Sequence, residues 1–141
     1  MKRFQLDTAM TNMRGVFYPT GHMVLMFPTE EDARNACVRL RNDGLADDDL
    51  CLASPEEFER QIIGATDEEA EDMLLPSVGT ESDTARHFRS LAREGHYALI
   101  VHANAGMSSD HVLQVLDGTH IRYGQRYRYL VIEDLVEDRG R

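Results

Sequence analysis

The chain predicts an α+β domain of ferredoxin-like type: a mixed four-strand sheet with helices on one face and an acidic helical insert between its halves. Three observations carry this expectation. Two apolar runs of strand length, His22–Phe27 and His96–His102, each precede a segment whose apolar residues recur at helical spacing. Between them lies a block of charge: residues 43–83 hold fourteen of the twenty-five acids but a single base, Arg60, so that this stretch is −13 and the remainder +3 within an overall −10. The order strand, helix, strand, acidic helices, helix, strand, helix, strand makes two βαβ-like units, which right-handed crossovers fold most simply into one sheet. At 141 residues, 42% of them hydrophobic, the chain suits a single domain spanning 1–141 that buries about 70% of its unfolded surface.

Residues 1–21 have little periodicity and read as an N-terminal extension, closed by the turn signal Pro19-Thr20-Gly21. After the strand His22–Phe27, Thr29 is placed as N-cap with Asp32 at the reach-back position of a capping box, opening a helix to Asp43 that Gly44 ends. Ala33, Ala36, Cys37 and Leu40 form its inward stripe. Leu50–Ala53 is the next strand. The insert, 54–80, opens on Ser54-Pro55-Glu56-Glu57, a second capping box, for a short helix to Ile63, and Thr66-Asp67-Glu68-Glu69 repeats the signal for another reaching Leu75. Acids in first turns complement the helix dipole. The insert is accordingly expected to be dispensable for folding and to face solvent or a basic protein partner.

Glu81–Glu94 reads as a helix with Ala85, Phe88, Leu91 and Ala92 inward and a stripe of Arg86, Arg89 and Arg93 outward. The strand His96–His102 is placed centrally, with Ala98 and Ile100 under cover between two wet ends. Ser108 or Ser109 caps a short helix through Asp117. His120–Tyr123 and Tyr127–Ile132 are expected as one bent strand or as a tight pair turning at Gly124-Gln125.

The run Val24-Leu-Met-Phe-Pro-Thr-Glu-Glu-Asp-Ala33, with Leu40-Arg-Asn-Asp-Gly44-Leu45 and Asp49-Leu-Cys-Leu52, resembles the heat-induced general stress protein domain of bacteria. The second half is similar through Gly95-His-Tyr-Ala-Leu-Ile-Val101, the helix near Val112–Leu116 and Tyr123, so that the resemblance spans about residues 22–132. Members often carry a glycine-rich stretch where this chain has its acids. The resemblance implies a stress-associated accessory protein and no particular reaction.

Several function classes find little support in the residues. No apolar run approaches the roughly 20 residues of a membrane span, and the basic start lacks a secretory h-region, so a cytoplasmic location is expected. Cys37 and Cys51 fall at apolar positions and read as buried thiols. The tail Arg122-Tyr-Gly-Gln-Arg-Tyr-Arg-Tyr129 mixes bases with aromatics, but strand alternation sends Tyr127 and Tyr129 to one face and Arg126 and Arg128 to the other, which separates stacking from charge and argues against nucleic acid. No motif assigns a catalytic residue, a metal ligand or a cofactor.

What remains is a rim. If the two clear strands are antiparallel neighbours, His22 at the start of one lies near His102 at the end of the other. With Tyr127 and Tyr129 these residues form the candidate ligand-binding set, while His87, His111 and His120 read as surface residues. An open sheet face rich in tyrosine suggests a homodimer. The expectation is therefore a non-enzymatic regulatory or stress-associated protein acting through oligomer and partner contacts. The alternatives are a ferredoxin-like small-ligand sensor and, behind it, a dimeric α+β barrel enzyme using a histidine base.

Overall fold

The computed structural model describes residues 2–3, 19, 21–65, 80–103, 107–128 and 131–137. Its elements are β1 (Lys2–Arg3), β2 (His22–Phe27), α1 (Glu30–Asn42), a 3-10 turn (Asp47–Asp49), β3 (Leu50–Ala53), α2 (Pro55–Ala65), α3 (Thr80–Arg93), β4 (Tyr97–His102), α4 (Ser109–Val115), β5 (Tyr123–Arg128) and β6 (Val131–Val136). The second helix expected within the acidic stretch, 66–75, and the loop that follows it lie outside the described residues.

Local signals set the helix starts. Thr29, extended, accepts from the Asp32 N–H at 3.1 Å, and its hydroxyl donates to the Asp32 carboxylate at 2.8 Å. Ser54 and Glu57 make the reciprocal bonds of a capping box, 3.0 Å from the Ser54 N–H to the Glu57 carboxylate and 3.3 Å from the Glu57 N–H to the Ser54 hydroxyl. Ser108, not Ser109, caps α4, accepting from the His111 N–H at 3.2 Å. At the end of α1, Gly44 takes a φ of +106°, a left-handed geometry that glycine adopts without a Cβ penalty.

The sheet runs β1-β3-β4-β2-β5-β6; every neighbouring pair is antiparallel except the short β1 against β3. Six strands thus replace the expected four. The additions are the two-residue β1 at one edge and β6 at the other. β6 also corrects the reading of the C-terminal half. Gly124 and Gln125 do not turn the chain but lie inside β5, which runs to Arg128, and the pairing with β6 shifts register there.

Strand alternation divides the interior into two cores. Val24, Met26, Ala53, Ala98, Ile100 and Tyr127 face α2 and α3, meeting Phe58, Ala85, Phe88 and Leu91. Met23, Leu25, Phe27, Leu50, Leu99 and Val101 face α1 and α4, meeting Ala33, Ala36, Cys37, Leu40, Val112 and Leu116. Helices therefore cover both faces of the sheet, whereas one-sided cover was expected. The second face is covered by α2 and α3 together: Phe58 of α2 is fully buried with Ala85, Phe88 and Leu91 of α3, so the α2 part of the acid-rich stretch belongs to the core instead of standing off it. With both faces covered, the open tyrosine-rich face that suggested a dimer is lost as an argument. Val38 is the one exposed large apolar side chain among the described residues. Among them, too, no helix is long and apolar enough to cross a membrane.

His96 corrects another expectation. The end of β4 that it marks is not wet: the ring is buried, and its Nδ1 donates to the Leu91 carbonyl at 3.0 Å, tying the strand entry to the last turn of α3. Because a carbonyl only accepts, this bond places the ring proton on Nδ1.

Candidate functional site at one end of the sheet

β2 and β4 are antiparallel neighbours at the centre of the sheet, and their register sets His22 directly opposite His102. On its other side His22 is opposite Tyr127 of β5. Leu50 pairs with Val101, which brings the preceding residue, Asp49, level with His102. Three successive strands and the turn that leads into β3 thus contribute a row, Asp49, His102, His22 and Tyr127, at one end of the sheet. Alternation directs the side chains of the row toward the face that α2 and α3 cover.

The geometry within the row is specific. The two imidazole rings lie 5.1 Å apart between centroids, tilted by 48°. His102 Nδ1 is 3.2 Å from a carboxylate oxygen of Asp49. An ionised carboxylate only accepts, so Nδ1 carries the donated proton and Nε2 of His102 is left with its lone pair, the tautomer suited to accepting a proton or a ligand hydrogen bond. His102 is exposed, its side chain 53% accessible, and His22 is half-buried. Tyr127 is fully buried, with Phe88 of α3 at 6.4 Å between ring centroids, and it forms the floor of the row instead of its open surface. Tyr129, the fourth candidate, lies outside the described residues.

Backbone bonds hold this end together. The Gly21 N–H donates to the Tyr127 carbonyl and the Ala103 N–H to the Gly21 carbonyl, both at 2.8 Å, and the His22 N–H reaches the Pro19 carbonyl at 3.0 Å. Gly21 has a φ of +82°, so the chain turns sharply into β2 while bonding both neighbouring strands. The Pro19–Gly21 turn therefore aligns the histidines.

Sequence reasoning found His22, His102 and Tyr127 but missed Asp49. It stood as one of three consecutive aspartates before a strand, and only the β3–β4 register distinguishes it from Asp47 and Asp48. The other histidines are held elsewhere. His111 Nε2 is 2.7 Å from Asp43, and His120 Nδ1 is 3.0 Å from Asp32. His87 is half-buried, its ring tilted at 58° to that of Tyr123 with centroids 4.3 Å apart, and not the plain surface residue expected. Among the described residues no group of three or more histidine, cysteine or acidic side chains is placed to hold a metal ion. Both cysteines are free thiols; Cys37 is buried and Cys51 half-buried. Burial pushes the Cys37 thiol up, against a smaller opposing pull from Arg41 and Arg34.

Comparison with protein-family models, with curated proteins and with solved structures finds no match to this chain.

Proposed function

We propose that the chain is a non-enzymatic, cytoplasmic regulatory protein that binds a small anionic ligand at the His22–His102 rim. The observation that carries the reading is the pair of neighbouring imidazoles, one oriented by a carboxylate, at the accessible end of the two central strands. Two imidazoles side by side hydrogen-bond an oxyanion when their outward ring nitrogens carry protons, and the Asp49 carboxylate orients the ring of His102. The inner strand order β3-β4-β2-β5 supports a ferredoxin-like core within the larger sheet, the kind of module in which small-ligand sensors occur. The stress-associated role rests on the resemblance and the basic protein partner on the segregation of acid in the sequence.

Inorganic phosphate and acetate are suitable probes, titrated against chloride at matched ionic strength while the melting temperature and the ring-proton NMR signals of both histidines are followed. Binding to the native state raises the melting temperature by mass action. The double variant His22→Ala/His102→Ala should lose the response and keep the fold. The same response in the double variant would overturn the reading.

A further inference from the structure

A pocket of about 340 Å³ opens between the C-terminal end of α1 and the first turn of α4. It lies at the same end of the sheet as the histidine rim but on the opposite face. Its volume is at the small end of the range for small-molecule sites, about 300–1,000 Å³. The wall is apolar, made by Leu40, Leu45, Met107 and Val112, and the mouth carries Asp43 and His111. Leu40 and Val112 are core residues, so the apolar side of the pocket is anchored in the packed interior.

The charges at the mouth select the ligand. Asp43 is the C-cap of α1, where the negative end of the helix dipole meets a carboxylate, a place that favours a cation. The two arginines of the last turn of α1 are engaged elsewhere. Arg39 donates to the carbonyls of Val115 and Asp117 at the far end of α4, and Arg41 reaches Asp47 at 3.3 Å. The Asp43 carboxylate instead takes Nε2 of His111 at 2.7 Å, across the mouth of the pocket. Both residues are exposed, so this contact exchanges readily with a competing donor.

We propose that this pocket binds a small primary amine with a short apolar chain. The ammonium group takes the place of His111 on Asp43, and the hydrocarbon packs on Leu45, Met107 and Val112. The site stands apart from the histidine rim and does not depend on it. A carboxylate-bearing ligand of the same shape is disfavoured, since it would meet both Asp43 and the helix dipole with like charge.

The experiment uses n-butylamine as probe, with n-butanol and n-butyrate as controls of similar size, added to the full chain while the methyl resonances of Met107, Val112 and Leu45 and the ring signals of His111 are followed. So few atoms imply a dissociation constant on the order of millimolar. The amine should shift these signals saturably, with the alcohol and the acid about tenfold weaker or worse, the scale of a lost charge-assisted hydrogen bond. Asp43→Asn should remove the advantage of the amine over the alcohol. His111→Ala, which frees the carboxylate, should bind the amine at least as tightly as the parent chain. Equal binding of amine and alcohol by the parent chain would overturn the proposal, as would an undiminished amine preference in Asp43→Asn or the absence of saturable shifts at these residues.

Discussion

Phe58 of α2 stands edge-on to Phe88 of α3, with ring centroids 5.9 Å apart and planes at 84°. Both rings are fully buried, and Phe88 goes on to meet Tyr123 at 5.0 Å. This contact locks the start of the acid-rich stretch onto the sheet. Phe58→Ala should therefore cost about 3–5 kcal/mol, the usual range for removing a buried aromatic side chain, measurable by urea denaturation. Replacing residues 54–80 by a flexible linker should abolish cooperative melting, the reverse of what an appended insert would do.

Arg93 of α3 pairs with Glu59 of α2, Nε to carboxylate oxygen at 2.6 Å, so part of the basic stripe does face the acidic helix. The arginine is half exposed, however, with its side chain 53% accessible. Arg93→Gln is expected to change stability by no more than about 1 kcal/mol. Double-mutant cycles with Glu59→Gln, run at low and high salt, would check this.

Gly124 is a residue of close approach. A Cβ built there would lie 2.7 Å from Cδ2 of Leu25, which is itself fully buried between β4 and β5. Gly124→Ala should destabilise the protein by about 1–3 kcal/mol through overpacking. Combining it with Leu25→Ala should cost less than the sum of the two single changes, because the new methyl group occupies the space that Leu25 vacates.

Arg126 is buried on the α1 and α4 side of β5, donating from Nη1 to the Met107 carbonyl and to the Ser109 hydroxyl, both at 2.8 Å. Ser109 in turn donates to Glu133 of β6 at 3.1 Å. This chain of bonds fastens the start of α4 to the last two strands. Arg126→Met should cost at least about 1.5–3 kcal/mol, the worth of a charged hydrogen bond, and it should speed hydrogen exchange in α4 before it does so in β4.

Acid stability should depend on Thr29. Its hydroxyl, and secondarily His120, hold the Asp32 carboxyl below the ordinary aspartate value of 3.8. A carboxylate whose folded value is depressed adds stability above its unfolded value, and that stability is lost as the pH falls through the folded one. Thr29→Val should therefore lower stability near neutral pH by about 1 kcal/mol through the lost cap. It should also flatten the decline below about pH 4, a difference visible in melting temperatures taken from pH 2 to 7.

The sequence by itself determined the starts of α1 and α2 and the inward face of α3, and it located β2, β3 and β4, because those signals act within a few residues of chain. Thr29 with Asp32, and Ser54 with Glu57, satisfy each other's backbone groups three residues apart, and the period of Ala85, Phe88, Leu91 and Ala92 names its own inward face. The neighbouring of the two central strands was legible too, since His22 and His102 follow from pairing the two most apolar runs. Only the tertiary structure decided the rest. Whether Phe58 turned to solvent or to the sheet depended on an empty sheet face that no local pattern reports. The register that set Asp49 level with His102 depended on β3 pairing with a strand about fifty residues away, as the pairing of β5 with β6 decided that Gly124 continues a strand instead of turning it. The pocket between α1 and α4 exists because two helices separated in sequence pack on one face, and close packing between distant segments is a property of the folded chain as a whole.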